Sequence, residues 1–294
     1  MNKTQNLKVF VLGASGMIGS EIFRVLDESI NIDATGVWRS QPSKDLPFTK
    51  KRIIEGIDIQ KEELWRRLLI EENPHVVINC IGITKHHQSK IDARAFIGIN
   101  SIFPHKLSNV CDQISARLIH ISTDCIFSGK KGFYSEEDIS DSEDLYGLTK
   151  KLGEINTPNH LTLRTSTVGH EISTRNGLLE WFLSQQGNCK GYKRAIFSGV
   201  TTSDLAIILR DKVLPNKKLS GIYNISSDPI SKYDLLQLMK RYYSKQIEIE
   251  EDTSFIIDRS LNGEKFKKAV NHKPESWEIM IERMALSKKE KKIV

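Results

Sequence analysis

Short apolar runs recur along the chain, separated by stretches in which apolar residues return every three or four positions. The runs are Lys8–Gly13, His75–Cys80, Arg117–Thr123, Leu161–Ser166 and Gly221–Ser226. They are unbroken Val, Ile and Leu sequences rather than alternating ones, which predicts strands covered on both faces. Between them, Ile18, Ile22, Val25 and Leu26 fall on one helical face, and Lys61–Glu72 and Phe103–Ile114 repeat that spacing. Strand-helix alternation predicts right-handed crossovers and a Rossmann-like, doubly wound parallel sheet, an α/β fold. After Ser166 the rhythm loosens. Two helical stretches, Gly177–Gln186 and Lys232–Lys245, alternate with loops and one further strand. The expected division is a nucleotide-binding domain over 1–165 and a smaller α/β substrate lobe over 166–294, with some later segments returning to the first domain.

Composition adds limits. The 294 residues are ample for a large core and suit about two domains. The net charge of +6, from 43 basic and 37 acidic residues, is spread along the chain. Its densest run, Ser287–Val294, reads as a solvated end and not as a nucleic-acid arm. Cys80, Cys111, Cys125 and Cys189 form no C-x-x-C pair, which predicts reduced thiols and a cytoplasmic location. No stretch has the length of a signal peptide's apolar core or of a membrane span. The expected partner is therefore a small molecule, neither nucleic acid nor membrane, and a homodimer is compatible with the sequence.

Candidate chemistry begins at "FVLGASGMIGSEI", where a strand ends and a helix opens around Gly13, Gly16 and Gly19. Such glycines permit a tight turn and let backbone approach a pyrophosphate, which then sits at the positive end of the helix. About twenty residues on, the second strand ends in Arg39 and Ser40, where an NAD site has an acidic residue. An arginine and a hydroxyl suit a 2′-phosphate, so the expected cofactor is NADPH, with NADH the alternative.

A second motif lies at "STDCIFSGKKGFYSEEDISDSEDLYGLTK". Tyr146 and Lys150 stand at i and i+4 on one helix face, downstream of a strand ending Ser122-Thr123. A free tyrosine titrates near ~10 and is a poor acid at neutral pH. An ammonium beside it favours the phenolate and eases proton release. Lys150 can also hold the nicotinamide ribose, and Thr123 can donate to a substrate carbonyl.

With "GASGMIG", "NCIGIT", "IGINSIFPHKL", "IHISTDCIFSG", "YGLTKKLGE", "LRTSTVG" and "DRSLNGEKF" taken together, the chain resembles the extended short-chain dehydrogenase/reductases of the dTDP-4-dehydrorhamnose reductase type. The resemblance runs from residue 13 to about 266. It implies reduction of a nucleotide-linked 4-keto-6-deoxyhexose at C4, for surface polysaccharide synthesis; the sugar is dTDP-linked or a UDP-linked 2-acetamido equivalent. By position it implies that Gly13, Ser15, Gly16, Met17 and Ile18 hold the pyrophosphate. Asp58 and Ile59 border the adenine, and Cys80, Ile81 and Gly82 line the cofactor cleft. Thr123, Tyr146 and Lys150 form the catalytic set. Arg164, Thr165, Ser166 and Arg259 lie towards the nucleotide-sugar.

Two segments depart from the family pattern. Cys125 replaces an aromatic residue, and "ITKHHQSK" replaces a differently composed loop, both on the expected sugar side. The adjacent His86 and His87 point apart and lack a carboxylate-rich partner pattern, so no metal is expected. Dehydratases of the superfamily carry Glu where this chain has Cys125, which argues against dehydration. Epimerases keep Tyr and Lys but hold NAD, which Arg39 disfavours. A non-catalytic NADP-binding regulatory subunit is a further alternative, disfavoured by the intact trio. In the second lobe, Trp181 and Tyr192 offer stacking surfaces, and Lys193 with Arg194 offers charge for a diphosphate. Arg194, in a glycine-containing loop, is the preferred contact.

Overall fold

The computed structural model describes residues 6–40, 52–85, 91–172 and 175–290. The first half runs β1 (Leu7–Leu12), α1 (Met17–Asp27), β2 (Ile32–Val37), β3 (Ile53–Ile54), α2 (Glu62–Glu72) and β4 (Val76–Asn79). It continues through α3 (Ala93–Phe96), a π-helical stretch (Ile97–Ile102), α4 (Phe103–Gln113), β5 (Arg117–Ile121), α5 (Leu145–Leu152) and β6 (Leu161–Arg164). The second half holds β7 (Thr167–Val168), α6 (Leu178–Ser184), β8 (Asn188–Tyr192), β9 (Ala195–Phe197), β10 (Val200–Thr201), α7 (Thr202–Ile208) and β11 (Gly221–Asn224). Then follow β12 (Ile230–Ser231), α8 (Lys232–Tyr242), β13 (Glu248–Asp252), β14 (Ile257–Asp258), α9 (Glu264–Val270) and α10 (Trp277–Glu290).

Seven strands form one parallel sheet in the order β11-β6-β5-β4-β1-β2-β3. Along β1 the side chains alternate between two cores. Val9 and Val11 join the cluster with Ile22 and Phe23 of α1, while Phe10 and Leu12 join the one with Trp65 and Leu107. Both faces are thus covered, which is why the strands are continuously apolar. The order reverses between β1 and β4, and ligands bind such sheets in the crevice at that switch point.

The five apolar runs are all strands of this sheet. The fifth, β11, comes from the second half and pairs with β6, so the sheet itself crosses the expected boundary at residue 165. The remaining strands make three small sheets, β10-β7, β12-β9-β14 and β13-β8. The basic tail departs from expectation at its start, because α10 remains helical through Glu290. Residues 291–294 lie outside the described residues, as do His86 and His87. No described helix is long and apolar enough to cross a membrane.

Candidate active site

The glycine turn after β1 is built by close approach. Gly13 has φ +80°, and a Cβ on Gly19 would lie 2.2 Å from the Gly13 carbonyl oxygen. Any side chain at Gly19 therefore pushes α1 off the loop. Gly16 caps α1 and donates its N–H to the Gly13 carbonyl at 2.9 Å.

Beside this turn lies a cavity of about 350 Å³. Gly13, Ser15 and Gly16 form one wall, and Arg39 and Ser40 stand at the end of β2. Asp58 and Ile59 follow β3, and Cys80, Ile81 and Gly82 follow β4. These expected cofactor residues converge from four chain segments on the switch point. Met17 and Ile18 lie outside the lining, in the first turn of α1. Trp38 and Trp65 also line the cavity and were not singled out from sequence. Burial pushes the Cys80 thiol up to about 12, so it contributes shape and not charge.

Tyr146 and Lys150 share α5 as their spacing predicts. Asp144 caps this helix by accepting from the Gly147 N–H at 2.7 Å. A Cβ at Gly147 would lie 2.3 Å from the Cys125 carbonyl oxygen, so glycine lets α5 pack directly on the turn after β5. That turn begins at Thr123, whose hydroxyl accepts from the Cys125 N–H at 3.1 Å and donates to Asp124 at 3.2 Å. The Thr123 hydroxyl is within hydrogen-bond reach of the Tyr146 phenol.

One expectation is corrected here. The Tyr146 pKa is raised, not lowered: burial acts first, with Cys125 and Asp124 adding to it, and only the Thr123 hydrogen bond opposes them. Lys150 is itself buried, and loss of hydration pushes its ammonium down to about 8, against the pull of Glu154 and Cys80. Its Nζ donates to the Ile121 carbonyl at 2.8 Å. A Cβ on Gly82 would stand 3.9 Å from that Nζ and 3.4 Å from Asn100 Oδ1, so both groups abut the cofactor cavity's wall. Asn100 was missed from sequence. The π-helical stretch turns it towards the loop after β4, where it accepts from the Ile83 N–H at 2.8 Å and donates back to the Ile83 carbonyl at 2.9 Å.

At the residues that follow Thr123 a second cavity of about 200 Å³ is lined by Asp124, Cys125, Ser166, Arg259, Lys85 and Lys232, with Phe197, Phe255 and Ile257. Ser166 and Arg259 are where the resemblance placed them. Arg259 donates to the Phe127 carbonyl at 2.9 Å and approaches Cys125 Sγ at 3.6 Å. Lys232, the first residue of α8, was not foreseen; its pKa is lowered by burial first and by Lys85 next. Asp124 is buried and its pKa raised, with Arg259 pulling the other way.

Arg164 does not reach this cavity. Its guanidinium binds Glu154 twice inside the fold, so the expected substrate contact is withdrawn in favour of a structural ion pair. Thr165 is buried, and its hydroxyl turns to the Ser166 carbonyl at 3.2 Å. Arg194 is exposed and outside the lining. Lys193 pairs with Asp234 at 2.8 Å and lies over the Tyr233 ring. Trp181 sits on the outer part of α6, while Tyr192 packs on Phe255 with ring centroids 5.2 Å apart. No metal-holding cluster of His, Cys, Asp and Glu occurs among the described residues.

A parallel sheet with its glycine turn at the switch point and a Tyr-Lys helix beside it defines a nucleotide-binding α/β protein of the short-chain dehydrogenase/reductase kind. The chain belongs to the RmlD substrate binding domain family, which it matches over residues 7–191. It is 33% identical over 165 residues to the probable low-salt glycan biosynthesis reductase Agl14 of Haloferax volcanii, covering 54% of this chain and 53% of that protein. It is 28% identical over 151 residues to methionine adenosyltransferase 2 subunit beta of Rattus norvegicus, covering 50% of this chain and 41% of that one. The chain thus matches about half the length of these curated relatives. Its fold is that of a dTDP-4-dehydrorhamnose reductase of Bacillus anthracis crystallised with NADP: TM-score 0.78, 20% identity, 96% of this chain and 99% of the other.

Proposed function

We propose that the chain is an NADPH-dependent reductase acting on the C4 keto group of a nucleotide-linked 4-keto-6-deoxyhexose. One observation carries the reading: the cavity lined by the glycine turn and Arg39 reaches Gly82, where a Cβ would stand 3.9 Å from the Lys150 Nζ, and the cavity lined by cationic side chains reaches Asp124 and Cys125, which directly follow Thr123. The first cavity fits a dinucleotide, because Gly13 and Gly16 present bare backbone to it at the start of α1, in a turn so tight that a Cβ on Gly19 would strike the Gly13 carbonyl. Bound there, NADPH supplies the hydride. Gly13, Ser15 and Gly16 face its pyrophosphate, Arg39 and Ser40 its 2′-phosphate, and Asp58 and Ile59 its adenine.

The chain's own part is proton supply and orientation. Burial keeps the Tyr146 phenol protonated at neutral pH, the form needed to hand a proton to the developing C4 alkoxide. Thr123 positions that oxygen. Lys150, cationic below about 8, holds the nicotinamide ribose and stabilises the phenolate left behind. Residues 166–294 supply most of the substrate side, where Lys85, Lys232 and Arg259 outnumber the Asp124 carboxylate and suit the diphosphate of a nucleotide-sugar. A cytoplasmic location and a homodimer complete this reading; Ile102, Leu148 and Leu152 form exposed aliphatic positions on neighbouring helices that a second copy would cover.

The likeness to a methionine adenosyltransferase subunit favours one other reading, a regulatory subunit that binds NADP without turnover. NADPH oxidation over dTDP- and UDP-linked 4-keto-6-deoxy sugars, with product stereochemistry by NMR, separates them. Consumption with one 4-hydroxy product supports the reductase. NADPH binding without oxidation across the panel supports the subunit, and isomerised product with retained NAD indicates an epimerase.

A further inference from the structure

Beneath the Tyr146–Lys150 pair, on the core side of β5, lies a histidine that the proposed chemistry does not use. His120 is fully buried, at 0% exposure, between Asn79 of β4 and Lys150 of α5. Asn79 Nδ2 lies 3.0 Å from His120 Nδ1, and Lys150 Nζ lies 3.4 Å from His120 Nε2.

The protons in this chain can be placed from the outside inward. The Ile81 N–H donates to Asn79 Oδ1 at 3.0 Å, so that atom is the carbonyl oxygen and the amide's NH₂ faces the histidine. An NH₂ group can only donate, so His120 Nδ1 accepts. A neutral imidazole that accepts at Nδ1 carries its proton on Nε2. The Nε2–H therefore points at Lys150 Nζ. Burial and the Lys150 charge both keep the ring neutral, which agrees with this assignment.

Two consequences follow. Lys150 cannot pass a proton inward, because the ring nitrogen that faces it is already protonated. A buried N–H facing an ammonium has no acceptor, whereas a neutral amine offers it a lone pair; the pair thus favours the uncharged lysine. Glu154 and Cys80 act in the opposite direction, and His105 faces the imidazole from α4. One Lys150 proton goes to the Ile121 carbonyl, and the others are left to the cavity side.

We propose that His120 is the positioning residue of Lys150, a tautomerically fixed donor that closes the lysine's inner side and directs its exchangeable protons into the cofactor cavity. Its functional weight rests on the reductase reading, but its geometry can be measured without nucleotide or sugar. In uniformly ¹⁵N-labelled protein, the His120 ring nitrogens are expected to show the neutral Nε2–H tautomer at neutral pH. An Nδ1–H tautomer or an imidazolium overturns the proposal, whatever the enzyme does. In ¹³C-lysine-labelled protein, the Lys150 Cε signal, assigned by its loss in Lys150→Arg, reports the ammonium's titration. His120→Asn keeps an acceptor for Asn79 and removes the Nε2–H, so the titration midpoint should rise by about one pH unit. A midpoint unchanged from wild type, in a variant that has lost only thermal stability, assigns His120 to packing and overturns the proposal. Should His120→Asn fail to fold, the tautomer measured in the unaltered protein still decides.

Discussion

Arg164 and Glu154 face each other across two hydrogen bonds of 2.8 Å, Nε to Oε1 and Nη2 to Oε2, with side chains only 1% and 2% exposed. Glu154 also accepts from Ser122 Oγ at 2.9 Å and from Lys151 Nζ at 3.0 Å. The pair therefore anchors the residue before Thr123 to the helix that carries Tyr146. Removing Arg164 leaves the buried Glu154 carboxylate only the Lys151 ammonium and the Ser122 hydroxyl, and breaking such a buried pair costs up to roughly 3–5 kcal/mol. Arg164→Met should lose about that much in urea unfolding. Wild-type stability together with a raised KM for the sugar would return Arg164 to the substrate site.

Tyr146→Phe removes the proton donor and keeps the ring. Turnover should fall by roughly 10²-fold or more, the usual scale for a positioned acid. NADPH affinity, read by fluorescence titration, should stay near normal. Wild-type turnover in this variant would sink the proposed mechanism.

The pH profile follows from the two shifts on α5. The reacting form has Tyr146 protonated and Lys150 charged. Tyr146 is raised above its ordinary value, so its proton is retained through the neutral and mildly alkaline range. Lys150 is lowered to about 8, so its charge is complete below that pH and lost above it. Activity should accordingly be level near neutrality and decline as pH rises through about 8. A profile that holds level until pH ~10, the ordinary range of a lysine, would contradict this assignment.

Arg39→Asp tests the cofactor. A carboxylate at the end of β2 would repel a 2′-phosphate and accept from a 2′-hydroxyl. Losing a charge-assisted contact of roughly 1.5–3 kcal/mol weakens NADPH about 10- to 100-fold and spares NADH. Equal loss for both nucleotides, measured by the same titration, would remove Arg39 from this role.

Much of this was readable in the sequence because it depends on neighbours along the chain. The apolar runs are strands because both sheet faces are covered, and the Tyr146–Lys150 spacing is fixed by helix geometry. The glycine turn needs only a strand before it and a helix after it. Arg164 misled because its partner sits across a turn of chain, and nothing in "LTLRTS" says whether the guanidinium points in or out. The direction of the Tyr146 shift was misjudged for a related reason: spacing brings an ammonium near but does not report how far burial opposes it. Lys232 was invisible because folding alone brings α8 to the cavity beside Asp124 and Cys125, whereas Lys85 belongs to "ITKHHQSK", a segment the sequence placed on the sugar side without marking that lysine. Asn100 depends on a π-helical stretch that periodicity does not reveal.

The charge in that second cavity yields the sharpest contrast between sequence and structure. Sequence reasoning favoured Arg194 for the diphosphate, yet Arg194 is exposed and outside the lining, whereas Lys232 lies within it beside Arg259 and Lys85. A cation that loses hydration in the free protein has its pKa lowered, as Lys232 does, and recovers that loss when an anion arrives. A contact of this kind is present in both the bound substrate and the transition state, so its removal should act on KM and leave kcat largely alone. Lys232→Ala should raise KM for the nucleotide-sugar by about 10- to 100-fold, the equivalent of a charge-assisted hydrogen bond. Arg194→Ala should change neither constant by more than about twofold, the usual consequence of altering an exposed charge. Affinity for the free nucleoside diphosphate should follow the KM in both variants. If Arg194→Ala raises KM and Lys232→Ala does not, the diphosphate lies on the outer loop, and the cationic side chains of the inner cavity face another part of the sugar.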